Sequence, residues 1–135
     1  MRLWHKDLIE VLPNKMLVAQ WRELAAIVGS INKNGTPNHR LVNIVLDYDK
    51  CHFYTYANLI YQEMKKRGMC PKEIVREKIN CYCYSQIISK DLLFKEWHTN
   101  RYFKQCYYNL EEKHDRGIIN NSEWEKIEGR ENEKN

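Results

Sequence analysis

The feature that most constrains this chain is the spacing of apolar residues between Pro13 and Ile31, where Leu17, Trp21, Leu24, Val28 and Ile31 recur every third or fourth position. That period matches the turn of an α-helix and gathers the side chains into one apolar stripe. Such a stripe is stable only when other elements cover it, so the rest of the chain must supply a lid. Pro13 suits the first turn, because the N–H it lacks would have no partner there. The cluster Asn34-Gly35-Thr36-Pro37-Asn38 then ends the helix in a turn.

The segments that follow read the same way. His39 to Asp47, with Leu41, Val42, Ile44, Val45 and Leu46, is apolar nearly all round and fits a buried short helix or a strand; a helix is the reading adopted. His52 to Arg67 carries Tyr56, Leu59, Ile60 and Met64 on one side, and its basic end at Lys65-Lys66-Arg67 suits the negative end of a helix dipole. Pro71 opens a short helical stretch holding Ile74, Val75 and Ile79. Ser89 is the expected N-cap of a long helix from Lys90 to about Lys113, closed by Gly117. Glu123 to Asn135 alternates acids and bases, as a frayed helix or a solvated tail would. There is no internal repeat and no low-complexity linker. The expected fold is all-α: a single compact multi-helix domain over residues 1–120 with a charged C-terminal tail over 121–135.

Bulk properties narrow the function classes. No apolar run approaches the roughly 20 residues that span a bilayer, so no membrane partner is expected and the protein is placed in the cytoplasm. Cys51, Cys70, Cys81, Cys83 and Cys106 lack the spacing of a disulfide framework and are read as reduced thiols. Cys81-Tyr82-Cys83 lacks a second matched pair, so no metal site is expected, and His52 is read as a core histidine. The net charge of +4 hides an asymmetry: Glu111 to Asn135 holds eight acids against five bases, local charge −3, which leaves +7 on the remainder. A basic body suits phosphate binding.

On the Pro13–Ile31 helix, about 100° per residue places Arg22 and Glu23 away from the apolar stripe, with the small Ala19 and Ala26 between them. A carboxylate and a guanidinium beside an open strip could form a site; an isolated pair of this kind is otherwise a solvated helix face.

The stretch Leu12 to Glu23, ending Leu17-Val18-Ala19-Gln20-Trp21-Arg22-Glu23-Leu24, resembles the phage-type pyrimidine-dimer DNA glycosylase and abasic-site lyase, or endonuclease V, family. That family pairs an N-terminal arginine with an aromatic-Arg-Glu-Leu motif, matched here by Arg2, Trp21, Arg22, Glu23 and Leu24. Met1-Arg2-Leu3-Trp4-His5 and Gly35-Thr36-Pro37-Asn38-His39 also resemble a bacterial branch of it. The chain departs from the phage pattern at Met16 and Ala26, which stand where that pattern has a histidine and a second arginine.

The resemblance implies an all-helical enzyme that needs no cofactor and acts as a monomer on damaged double-stranded DNA. It implies that the Met1 α-amine is the nucleophile and Glu23 its acidic partner, and that Arg2, Trp21 and Arg22 contact DNA. His39 and Arg40 are the candidates for rebuilt DNA contacts, as is the segment from Trp97-His98 to Tyr107-Tyr108, where aromatics alternate with Arg101 and Lys104; those aromatics also fit a core. A terminal amine suits this chemistry, since its pKa near 8 leaves a sizeable uncharged fraction at neutral pH. Initiator methionine is removed only before small residues, so Met1 is expected to stay ahead of Arg2, where the phage enzymes present threonine. The alternatives are a non-catalytic DNA-binding module of the same fold and a glycosylase for another lesion or modified base.

Overall fold

In the computed structural model, which describes residues 1–134, a 3-10 helix over Lys6–Val11 leads into α1 (Asn14–Asn34). A second 3-10 helix, Asn43–Asp47, precedes α2 (Lys50–Lys66), α3 (Glu73–Cys83), α4 (Asn100–Asp115) and α5 (Asn121–Lys134). No strand occurs among the described residues, as the all-α reading expects.

α1 follows directly from its period. Pro13 is its N-cap, with its carbonyl accepting from the N–H groups of Met16 and Leu17 at 3.0 Å, and Gly35 closes it with φ 77°, a conformation open to glycine without steric cost. Leu17, Trp21, Leu24 and Val28 are buried and pack against α2 and α3. Full burial of one such side chain contributes about 1.5–3 kcal/mol. α4 packs on α5, and α5 on the first 3-10 helix, so the chain's two ends meet.

The structure corrects three sequence expectations. Over residues 39–47 a turn runs into a short 3-10 helix; Val42 and Val45 are buried while Leu41 and Leu46 face outward, so the segment is not buried all round. The long helix from Lys90 does not form. Residues 90–97 make turns and α4 starts only after Thr99, whose hydroxyl caps the Tyr102 N–H. The reason lies in tertiary contacts. Lys6 Nζ takes the carbonyls of Lys90 and Leu93 at 2.6 Å each, and the Phe94 N–H donates to His52 Nδ1 at 3.1 Å instead of to a helical carbonyl. Phe94 therefore sits at φ 47°, a left-handed conformation costing about 1–2 kcal/mol. Complete burial of its ring among Tyr48, His52 and Trp97 offsets that cost.

The third correction concerns the charged tail. Residues 121–134 form α5, with Trp124 and Ile127 buried and Arg130 donating to the Asp7 carbonyl at 2.8 Å. Glu125, Lys126, Glu128 and Glu133 face outward, while Trp124 and Ile127 one turn apart, Arg130 on Glu10 and Lys134 on Asp7 dock the helix.

Where the N-terminal segment packs on the turn before α4, two buried histidines make neutral hydrogen bonds. His5 Nδ1 accepts from the Asp7 N–H, so its proton lies on Nε2, which donates to the His98 carbonyl at 2.9 Å. His98 Nδ1 in turn accepts from the Lys6 N–H at 2.9 Å. Burial depresses both rings strongly, His5 to about 4 and His98 to about 2.

Candidate active site

The first four residues have no regular secondary structure, and side chains hold their backbone. Gln20, fully buried on α1, accepts from the Trp4 N–H at 2.9 Å and donates to the Arg2 carbonyl at 3.0 Å. The Leu3 carbonyl accepts from the Tyr102 hydroxyl at 2.7 Å, and the Trp4 carbonyl from the Tyr56 hydroxyl at 2.7 Å. The start of the chain is thereby laid along α1, with Leu3 and Trp4 in the core and Met1 46% exposed.

Beside this segment lies an open pocket of about 350 Å³, lined by Met1, Arg2, Trp4, Met16, Ala19, Glu23, Leu41, Asn109 and Lys113. α1 supplies Met16, Ala19 and Glu23 from one face, because residues three or four apart stack above one another. Ala19 is small enough to leave the floor open. α4 closes the far wall with Asn109 and Lys113, and the turn after α1 contributes Leu41.

The electrostatics of the pocket centre on Glu23. Burial pushes its carboxyl above the usual carboxylate range, and the Met1 ammonium, Arg22 and Lys113 pull it back in that order. Its Oε2 is buried and takes no hydrogen bond from any described residue. A buried acceptor without a partner costs about 1–3 kcal/mol, so it is retained at the expense of stability. Arg2 lines the same pocket and leans on Trp4, its guanidinium carbon 5.5 Å from the ring centroid. Against one carboxylate the walls thus present an ammonium, a guanidinium and a lysine, a surplus of positive charge that suits an anionic ligand.

A family model described as pyrimidine dimer DNA glycosylase matches residues 1–77 of the 135. The chain belongs to that family. No curated protein and no solved structure matches it. Membership in the pyrimidine dimer DNA glycosylase family makes DNA the substrate. The matched segment contains Met1, Arg2 and Glu23, whereas Asn109 and Lys113 lie outside it. No helix among the described residues is long and apolar enough to cross a membrane.

The remaining expected site residues divide. Trp21, expected at the DNA, is only 2% exposed: its ring packs 5.7 Å from that of Tyr61 and its indole N–H points to the Lys72 carbonyl at 3.4 Å, so its face is spent on joining α1 to α2 and α3. Arg22 is exposed beside the pocket and acts on Glu23 through its charge. His39 is half-buried, and its Nδ1 accepts from the Leu41 N–H at 3.3 Å, which shapes the turn that delivers Leu41. Arg40 is exposed and lines an adjoining hollow with Leu41, Trp97, Arg101, Tyr102 and others; Arg101 and Gln105 carry that hollow into a third, with Lys104 and Tyr108. Of the aromatic segment, Trp97, His98 and Tyr107 belong to the core while Tyr108 is 59% exposed.

Sequence reasoning missed Gln20 and Lys113. Gln20 stood inside the quoted motif, and a glutamine between apolar neighbours on a core-facing helix was the signal available. Lys113 left no local trace, since only the tertiary fold brings α4 to the pocket. A separate hollow of about 330 Å³ beside Glu10 and Glu123 offers less chemistry. Its Arg67 is already used, donating to the carbonyls of Ile9, Glu10 and Leu12, to Asn14 and to Glu63.

Proposed function

We propose that this DNA glycosylase excises cyclobutane pyrimidine dimers with coupled strand cleavage, using the Met1 α-amine as nucleophile and Glu23 as its acidic partner. The observation that carries the reading is that Met1 and Glu23 line one open pocket, with the carboxylate near enough to feel the terminal charge and one of its oxygens left without an internal partner.

The neutral amine attacks C1′ of the damaged nucleotide. The N–C1′ bond forms as the glycosidic bond breaks, and the departing base takes up a proton. Opening of the sugar ring leaves an iminium. Removal of a C2′ proton then drives β-elimination, the C3′–O bond breaks, and the strand is cut. Glu23 stabilises the developing positive charge and moves protons, and burial makes its charge count for more than it would in water. Such chemistry requires the nucleotide to leave the base stack.

Arg2 and Lys113 contact the flanking phosphates, and duplex DNA runs from the pocket past Leu41 over Arg40, Arg101 and Lys104. Continuity of the three hollows through shared residues supports this path. Exposed Tyr108 offers a ring face to an unpaired base.

The test is cleavage of ultraviolet-irradiated plasmid by the native protein and by a version extended by one residue before Met1. Nicking by the native protein that disappears on extension supports the reading. Equal nicking by both removes the terminal amine from the mechanism, and a native protein that binds irradiated plasmid without nicking it favours the non-catalytic module.

A further inference from the structure

A nucleophile at a chain terminus has one physical handicap: nothing beyond it restrains it, and terminal residues fray unless tied down. Here the tie is two-sided at a single side chain. The Gln20 carboxamide accepts from the Trp4 N–H and donates to the Arg2 carbonyl, the pairing a neighbouring strand would offer to an extended segment. Its orientation follows from those partners, since its oxygen must meet the N–H and its nitrogen the carbonyl. The Tyr56 hydroxyl lies 2.7 Å from the Trp4 carbonyl and 2.9 Å from Gln20 Oε1, so its single proton is shared between these two acceptors. Gln20 is fully buried and stands one turn before Glu23 on α1. One turn of one helix therefore carries both the clamp on the terminal backbone and the carboxylate that faces the terminus.

We infer that Gln20 is the positioning residue of the reaction, the side chain that sets the separation between the Met1 amine and Glu23. The inference rests on the amine being the nucleophile. Gln20→Met keeps the volume but leaves the Arg2 carbonyl and Trp4 N–H without their partner, so the terminus swings. Misplacing a reacting group by about 1 Å costs on the order of 10²-fold in rate. Arg2 is held by the same clamp, so DNA affinity weakens by up to one phosphate contact, and the rate is therefore read at saturating duplex.

Two readouts test this. In single-turnover borohydride trapping at saturating abasic-site duplex, Gln20→Met is expected to trap about 10²-fold more slowly. Gln20→Glu restores both hydrogen bonds only when its carboxyl is protonated, so its trapping rate relative to the unaltered protein rises as pH falls; a purely structural role would not produce that profile. The second readout needs no turnover: ¹³C titration of the Glu23 carboxyl moves upward in Gln20→Met, because the ammonium that pulls it down has moved away. Unchanged trapping per bound complex together with an unchanged Glu23 titration overturns the inference. If Gln20→Met does not fold, an unaltered pH profile in Gln20→Glu overturns it equally. Failure of the nucleophile reading looks different: the unaltered protein fails to trap, or traps equally well when extended, and the Glu23 titration then decides the positioning claim alone.

Discussion

Lys113, in the last turn of α4, lines the same pocket as Glu23 of α1 and draws its carboxyl down against the effect of burial. The Met1 ammonium does the same, but only while it is protonated, and a nucleophile must be neutral. Lys113, like Arg22, still acts on Glu23 when the amine loses its proton. Lys113→Met is therefore expected to move the acidic limb of the pH–rate profile for kcat upward, because Glu23 then becomes protonated at higher pH. Lys113→Arg keeps the charge and leaves the limb in place. A profile unmoved by Lys113→Met, measured on abasic-site duplex, contradicts this.

Glu23→Gln should separate activity from stability. Catalysis falls by about 10²–10⁴-fold as the acid–base group is lost. The folded-state pKa of Glu23 is raised, so the group favours the fold only at acidic pH, and that contribution is lost as pH rises through the folded value. At neutral pH its buried charge is a cost. Removing it should raise stability by about 1 kcal/mol, a gain of roughly 3 °C in Tm. A lower Tm in thermal unfolding at neutral pH would show that the carboxylate contributes to the fold.

Acid should loosen the packing of the N-terminal segment on the turn before α4. Both buried histidines have folded values far below the unfolded one, near 6.5, with His5 at about 4 and His98 at about 2. Their contribution is complete above pH 6.5 and is lost as pH falls toward 4, since the unfolded chain takes up protons that the fold refuses. Each ring gives a slope of about 1.4 kcal/mol per pH unit in that window. Denaturant unfolding between pH 7 and 4 measures the slope, and replacing His98 by Asn, which can still accept from the Lys6 N–H, should reduce it by about half.

The exposed cations beyond the pocket should act on affinity alone. Losing one phosphate contact lowers the slope of log K against log salt by about 0.9, so Arg40→Ala with Arg101→Ala should lower it by roughly 2. The single-turnover rate at saturating DNA stays unchanged. A salt slope equal to that of the unaltered protein would place the duplex elsewhere.

Local physics explains what was legible in the sequence. α1 could be read because its stripe, its proline start and its glycine stop all agree, and Glu23 stood out against that frame. α2 was legible from its stripe and the Gly68 that follows it, and α3 from Pro71 and its apolar spacing. The start of α4 was not: nothing near Phe94 signals a left-handed residue, and its conformation depends on Lys6 and His52 reaching it from elsewhere in the chain. α5 looked like a tail because two buried residues, Trp124 and Ile127, give too weak a pattern beside so many charges. Trp21 misled because a motif position reports its own contact only when the fold leaves it exposed, and here α2 and α3 cover it. The N-terminal half of the pocket could be read from the motif; its α4 wall depended on tertiary packing.

The most direct test of the central claim is the site of the covalent adduct. Native protein trapped by borohydride on ultraviolet-irradiated duplex, then digested and mapped by mass spectrometry, should carry the sugar remnant on the α-nitrogen of Met1. An adduct on Lys113, the other amine lining the pocket, or no adduct under conditions where the strand is cut, would contradict the account.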